Sequence, residues 1–316
     1  MTTCPSGVNY MHLVDHARAY IAERYRRSLR ERLLRRLLAA VLPHQGRFRI
    51  ALALARLAHP AIPLVERIPA LRPVAAMLAL APRKTRPRPS DAPSPAARPR
   101  GRVALLQGCA EPVLRPEIRE ATVRLLNRVG FDVVFVRGER CCGALVHHMG
   151  KEAASLEAAR RNIDVWEREV EDEGLDAILV TASGCGTTIK DYGFMLRGDA
   201  VYADRAARVS ALAKDVSELL GDAGLPVGDG RGLTVAYHAA CSLQHGQKVT
   251  DQPKRLLAAA GYLVRTPMEQ YLCCGSAGTY NIVQPEIAGQ LGDRKDRKST
   301  RLNSSHIQKS RMPSSA

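Results

Sequence analysis

Two kinds of hydrophobic pattern divide the chain. From about His12 to Leu42 apolar residues recur at helical spacing, with Leu29, Leu33, Leu34, Leu37, Leu38 and Val41 along one side and arginines filling the other. This predicts an amphipathic helix or helix pair. The stretch from Phe48 to Ala81 is also apolar, but Pro60, Pro63, Pro69 and Pro73 forbid one long helix; short helices packed on something else are expected. Residues 83–101, RKTRPRPSDAPSPAARPRG, carry no apolar period and read as a linker. From Arg102 the pattern changes to short β-rich runs, 103–106, 131–136, 176–181, 233–238 and 262–264. They alternate with helical runs, 116–128, 153–171, 206–220, 252–259 and 286–291. Such alternation predicts an α/β fold of βα units with a largely parallel sheet covered by helices. The expected domains are a helical segment 1–82, the linker 83–101, a first βα module 102–230 and a second 231–295. Residues 296–316 are polar and aperiodic, and a non-native tail is expected there.

Composition narrows the class. The chain has 316 residues, 46% of them hydrophobic, enough for real cores without stapling. No apolar run reaches the ~18 residues of a membrane span, and Met1-Thr2-Thr3-Cys4-Pro5 lacks a charged-then-apolar leader. A cytoplasmic compartment with reduced thiols is therefore expected. The net charge of +16 is unevenly placed: residues 1–102 carry +15 and residues 103–295 carry −3. The basic part is arginine on a leucine and alanine background with few aromatics to stack bases, so nucleic acid is not the expected partner. A solvated helix face or a docking surface is, with peripheral attachment to the inner face of the cell membrane as one form of the latter.

The cysteines repeat. Cys109 precedes Cys141-Cys142-Gly143 by 32 positions, Cys241 precedes Cys273-Cys274-Gly275 by 32, and the offset between the sets is 132. Cys185 stands behind the first set. On the predicted framework each of these cysteines follows a strand, and in a parallel sheet the loops after the strands open on one edge, where ligands bind. Helices starting there aim their N-terminal dipoles at that edge, which favours thiolates. Clustered reduced thiols suit iron-sulfur ligation, structural zinc or thiol redox chemistry. Zinc sites usually show CxxC or CxH pairs, and none occurs here. Vicinal cysteines suit a cluster, since two consecutive thiolates can reach different irons while Gly143 or Gly275 lets the backbone fold tightly. His147, His148, His238 and His245 lie near cysteines and are candidate donors to sulfur, although a loop histidine is more often simply solvated. No dinucleotide fingerprint, P-loop or HExxH is present.

The pattern C-x31-CCG, repeated, with Ser183-Gly184-Cys185 behind the first copy, resembles the cysteine-rich CCG domain of heterodisulfide reductase and related 2-hydroxyacid oxidation subunits. CPSGVNYMHLVDHAR at 4–18 and CCGSAGTYNIVQPEIA at 273–288 closely resemble the iron-sulfur subunits of bacterial glycolate oxidases. The resemblance implies that Cys109, Cys141, Cys142 and Cys185 serve one iron-sulfur cluster of the four-iron type, and that Cys241, Cys273 and Cys274 belong to a second module. It makes Cys4, followed by Pro5, the last thiol of a ferredoxin-type run, so that 1–82 would be the remnant of a ferredoxin-type domain. The rest of that run is not in the sequence, and the offset of 132 puts the counterpart of Cys185 near position 317; both departures lead to the expectation of a fragment. The implied role is electron transfer from FAD-bearing partner subunits, which oxidise glycolate to glyoxylate, toward a quinone or other membrane acceptor. No substrate site of the chain's own is expected. The alternatives left open are the iron-sulfur subunit of an anaerobic glycerol-3-phosphate or lactate dehydrogenase, and a structural zinc-binding interaction module.

Overall fold

The computed structural model describes residues 8–68, 71–81, 99–226, 228–276 and 280–300. Cys4, nearly all of the expected linker, and residues 301–316 lie outside the described residues.

The basic N-terminal stretch forms a helix pair, α1 (Tyr10–Arg24) and α2 (Leu29–Val41). Asn9 accepts from the Met11 N–H and Ser28 from the Glu31 N–H, which satisfies donors that a helix start leaves orphaned. The proline-punctuated stretch becomes α3 (Gln45–Leu57), α4 (Ile62–Glu66) and α5 (Arg72–Leu80). Pro63 and Pro73 fall in the first turns of α4 and α5, where a missing N–H leaves no bond unmade.

Then come β1 (Gly101–Leu105), α6 (Glu111–Leu114), α7 (Pro116–Arg128), β2 (Phe131–Val134), α8 (Ala144–His148), α9 (Glu152–Asp172), β3 (Ala177–Val180), α10 (Ser183–Lys190), α11 (Tyr192–Met195), α12 (Ala203–Leu212), β4 (Ala213–Asp215) and α13 (Val216–Ala223). The remainder is β5 (Thr234–Ala236), a π-helical turn at Ser242–Gly246, α14 (Gln252–Ala259), β6 (Leu263–Arg265), α15 (Tyr280–Val283) and α16 (Pro285–Thr300). α16 runs nine residues past the helix expected at 286–291, into the segment read as tail.

The single helix expected over 206–220 is two helices with a strand between them. Asp215 ends the run: its carboxylate accepts from the Ser217 N–H, and Glu218 reaches back to the Asp215 N–H in a capping box. A helix that starts at Val216 leaves residues 213–215 extended, and they pair with β3.

The chain divides into two compact units. The first comprises Met1–Gln45, Arg86–Pro226 and Ser242–Leu256; the second comprises Gly46–Thr85, Val227–Cys241 and Leu257–Ala316. The first holds a four-stranded, fully parallel sheet in the order β2-β1-β3-β4. Its central strands are covered on both sides, and the alternation of side chains shows it. Ala104, Ile178 and Val180 join a core with Ile163, Trp166 and Tyr192, whereas Val103, Leu105 and Leu179 join one with Leu126, Leu219 and Leu220. The second unit holds a two-stranded parallel sheet, Thr234 to Ala236 against Leu263 to Arg265. Among the described residues no single helix is long and apolar enough to cross a membrane.

Candidate metal centre

Parallel strands place the loops after β1, β2 and β3 on one edge of the first sheet. Cys109 lies in the loop after β1, Cys141 and Cys142 in the loop after β2, and Cys185 in the first turn of α10, directly after β3. The structure brings these four thiols together. Cys141 and Cys142 are buried, Cys109 and Cys185 half-buried, and all are free of disulfides. Side-chain contacts run from Cys109 to Cys141, from Cys141 to Cys142 and from Cys142 to Cys185.

The row polarises itself. Thiols of Cys109 and Cys142 donating to Cys141, aided by the Gly143 N–H and the nearby His44, pull the Cys141 pKa down to about 3. The same contacts push Cys109 and Cys142 well above the usual thiol range, with burial adding to both. Thiols packed this closely form a donor set that releases protons when a cation takes their place. Among the described residues no three His, Cys, Asp or Glu side chains ring a single point. Soft sulfur donors in a row fit a cluster in which each sulfur takes its own metal atom.

The backbone of the Cys141-Cys142 loop is gripped from outside. Gly143 adopts φ +85° as the residue before α8; a Cβ there would meet the Ser155 carbonyl at 3.1 Å and Ala158 at 3.2 Å. Asn162 of α9 accepts from the Arg140 N–H at 3.0 Å and donates to the carbonyls of Arg140 at 3.3 Å and Cys141 at 3.4 Å. The Tyr192 hydroxyl donates to the Cys142 carbonyl at 2.7 Å, and Ser155 Oγ to the Gly143 carbonyl at 3.3 Å. Glu139 ties this loop to its neighbours: its carboxylate accepts from the Gln107 N–H at 2.7 Å, in the loop that leads to Cys109, and from Trp166 Nε1 at 3.0 Å. Burial raises the Glu139 pKa to about 7 against those two bonds.

None of Ser155, Asn162, Trp166, Tyr192 or Glu139 was expected from the sequence. A trace exists for two of them, since Ser155 and Asn162 are polar residues on the otherwise apolar inner stripe of α9, where Ala159, Ile163 and Trp166 are also buried. His147 and His148 do not turn to sulfur. They face Asp15 of α1, with His147 Nε2 at 3.2 Å and His148 Nδ1 at 3.7 Å, and Arg18 reaches His148 at 3.3 Å. Burial raises the Asp15 pKa, but the two imidazoles beside it outweigh that and hold the carboxyl far below the ordinary range. His12 completes the seat of α1 by bonding Asp191 at 2.7 Å and stacking on Phe194.

The second unit repeats the arrangement with three thiols. Cys241 is exposed in the segment after β5, and Cys273 and Cys274 are half-buried after β6. Burial and the two neighbouring thiols raise the Cys241 pKa. Gly275 takes φ +84° and donates its N–H to Cys273 Sγ at 3.3 Å. Lys295 is 5% exposed, and its ammonium donates to the carbonyls of Glu269, Gln270 and Leu272 at 2.8, 3.0 and 3.1 Å, fixing the loop that delivers the cysteine pair.

Comparison with known proteins agrees with this geometry. The family model of the cysteine-rich CCG domain matches residues 103–190 and 235–307. The chain is 40% identical over 295 residues to the glycolate oxidase iron-sulfur subunit of Escherichia coli, which covers 93% of this chain and 69% of that protein. It is 32% identical over 312 residues to a probable glycolate oxidase iron-sulfur subunit of Bacillus subtilis, with 92% and 68% covered. Lactate utilization protein A of Bacillus licheniformis is 28% identical over 199 residues, with 61% and 80% covered.

Proposed function

The chain belongs to the cysteine-rich CCG domain family and, within it, to the glycolate oxidase iron-sulfur subunits, and on that premise we propose that it is the electron-transfer subunit of a flavin-dependent glycolate dehydrogenase complex. The observation that carries the reading is the row of four thiols at the carboxyl edge of a parallel sheet. Cys109, Cys141, Cys142 and Cys185 would hold an iron-sulfur cluster of the four-iron type, and Gly143 would let the backbone close round it. Cys241, Cys273 and Cys274, with Gly275, form the corresponding set in the second module. Cys4 is assigned to a ferredoxin-type cluster at the end of a domain made of residues 1–82, joined by the linker 83–101 to modules 102–230 and 231–295.

Such a cluster, when bound, takes up and releases single electrons at a potential set by its surroundings. The chain's own residues fix the ligand loops through Asn162, Tyr192, Ser155 and Glu139, and shield them behind the Trp166 core. In this scheme FAD-bearing partner subunits oxidise glycolate to glyoxylate, and the electrons leave for a quinone or other membrane acceptor. The arginine and leucine face of α2 is assigned to docking on the cytoplasmic membrane surface.

Anaerobic reconstitution tests the reading. Iron and acid-labile sulfide in equal amounts are expected, with a brown chromophore that C109S and C142S abolish. Zinc bound without iron or sulfide would reject it in favour of a structural site. With the flavoprotein partners added, glycolate is expected to reduce the chromophore; reduction by lactate or glycerol 3-phosphate instead moves the assignment to those dehydrogenases.

A further inference from the structure

Both CCG loops turn the glycine N–H onto the sulfur of the first cysteine. Gly275 donates to Cys273 at 3.3 Å, and in the first loop the Gly143 N–H faces the Cys141 sulfur. In each loop that N–H belongs to the peptide whose carbonyl comes from the second cysteine. The peptide is trans, so its C=O and N–H point in opposite directions and fixing one fixes the other. In the first loop the Cys142 carbonyl accepts from the Tyr192 hydroxyl at 2.7 Å. Tyr192 is 0% exposed, stacked near Trp166 with the Asn162 amide beside it, and cannot swing away. Gly143, without a Cβ and at φ +85°, does little on its own to hold the peptide in one orientation.

We propose that Tyr192 is a positioning residue that sets the reduction potential of the centre at Cys141, by holding the Cys142–Gly143 peptide so that its N–H stays on the Cys141 sulfur. The inference rests on the iron-sulfur reading given above. An N–H donated to a ligand sulfur stabilises the reduced, more negative state, so losing it lowers the potential.

The test compares Y192F with the full wild-type chain and with Y202F, whose lost hydroxyl bonds Asp164 at 3.1 Å away from the thiol loop. After anaerobic reconstitution all three are expected to carry the same iron and sulfide. Y192F is expected to be harder to reduce by about tenfold in equilibrium constant, which for a one-electron couple is 59 mV more negative, and Y202F is expected to match wild type. A loaded Y192F with an unshifted midpoint overturns the proposal while leaving the cluster reading intact. A wild-type chain that takes up no iron and sulfide overturns both. Should Y192F load poorly, hydrogen exchange on the cluster-free proteins decides the matter. The backbone segment holding Gly143 is expected to exchange faster in Y192F than in Y202F or wild type, and equal rates overturn the proposal.

Discussion

Gly143 holds φ at +85° between a buried cysteine pair and the start of α8, in a space that Ser155 and Ala158 already fill. A left-handed backbone costs a residue with a side chain about 1–2 kcal/mol, and the Cβ contacts add to this. G143A is therefore expected to lose about 2 kcal/mol in chemical denaturation of the cluster-free chain and to retain less iron after gel filtration. Asn162 makes a different demand, because its one amide satisfies an N–H and two carbonyls of the loop. Removing a partner from buried polar groups costs about 1–3 kcal/mol. N162A is expected to fall in that range by urea denaturation, and a variant as stable as wild type would show that water replaces the amide without cost.

Helix α1 shows the same logic one scale up, since what seats it is a set of polar side-chain contacts rather than an apolar stripe. Asp15 meets His147 and His148, Arg18 meets His148, and His12 meets Asp191. The depressed Asp15 pKa means that its contribution to stability is fully present above the unfolded carboxylate value of about 3.9 and is lost as pH falls through the folded value. D15N is accordingly expected to be less stable than wild type by about 1–3 kcal/mol at pH 7. The gap should close as the pH is taken below about 4; urea midpoints that differ equally at both ends would show that the charge is not what seats the helix. Apart from the local Arg18–Asp15 contact at 2.8 Å, little of this was legible in the sequence, because the imidazole partners of Asp15 lie more than 130 positions away on α8. The parallel sheet was legible, because strands covered on both faces, such as Ile178 to Val180, must be continuous apolar runs. Convergence of Cys109, Cys141, Cys142 and Cys185 followed from strand direction alone. Tyr192 and Glu139 did not follow, since a side chain that bonds a group distant in the chain leaves no period in the sequence. β4 was hidden for the opposite reason: three extended residues between two helices continue the helical period, and only the Asp215 capping box marks the break.

Across the whole chain the charge is segregated, and α2 shows what the segregation leaves exposed. Leu38 is buried, while Leu29, Leu33 and Leu37 form a row four residues apart that is 79%, 69% and 50% exposed. Arg30, Arg32 and Arg36 are exposed beside that row. A helix with an uncovered apolar row bordered by arginines has the chemistry of an interfacial helix on anionic lipid, where apolar burial and headgroup attraction act together. Near such a surface each basic residue contributes about 1 kcal/mol. Replacing Arg30, Arg32 and Arg36 by glutamate should thus weaken co-sedimentation with vesicles rich in anionic lipid by at least about 100-fold. Binding of the wild-type chain should fall as salt rises, since exposed charges are screened over a shorter distance. The leucine row predicts a remainder that salt does not remove, lost in L29S/L33S/L37S but not in the arginine variant at the same ionic strength. Binding that ignores both sets of substitutions would remove the membrane from the assignment of α2, and would leave the flavoprotein partners as the surface to test by the same variants.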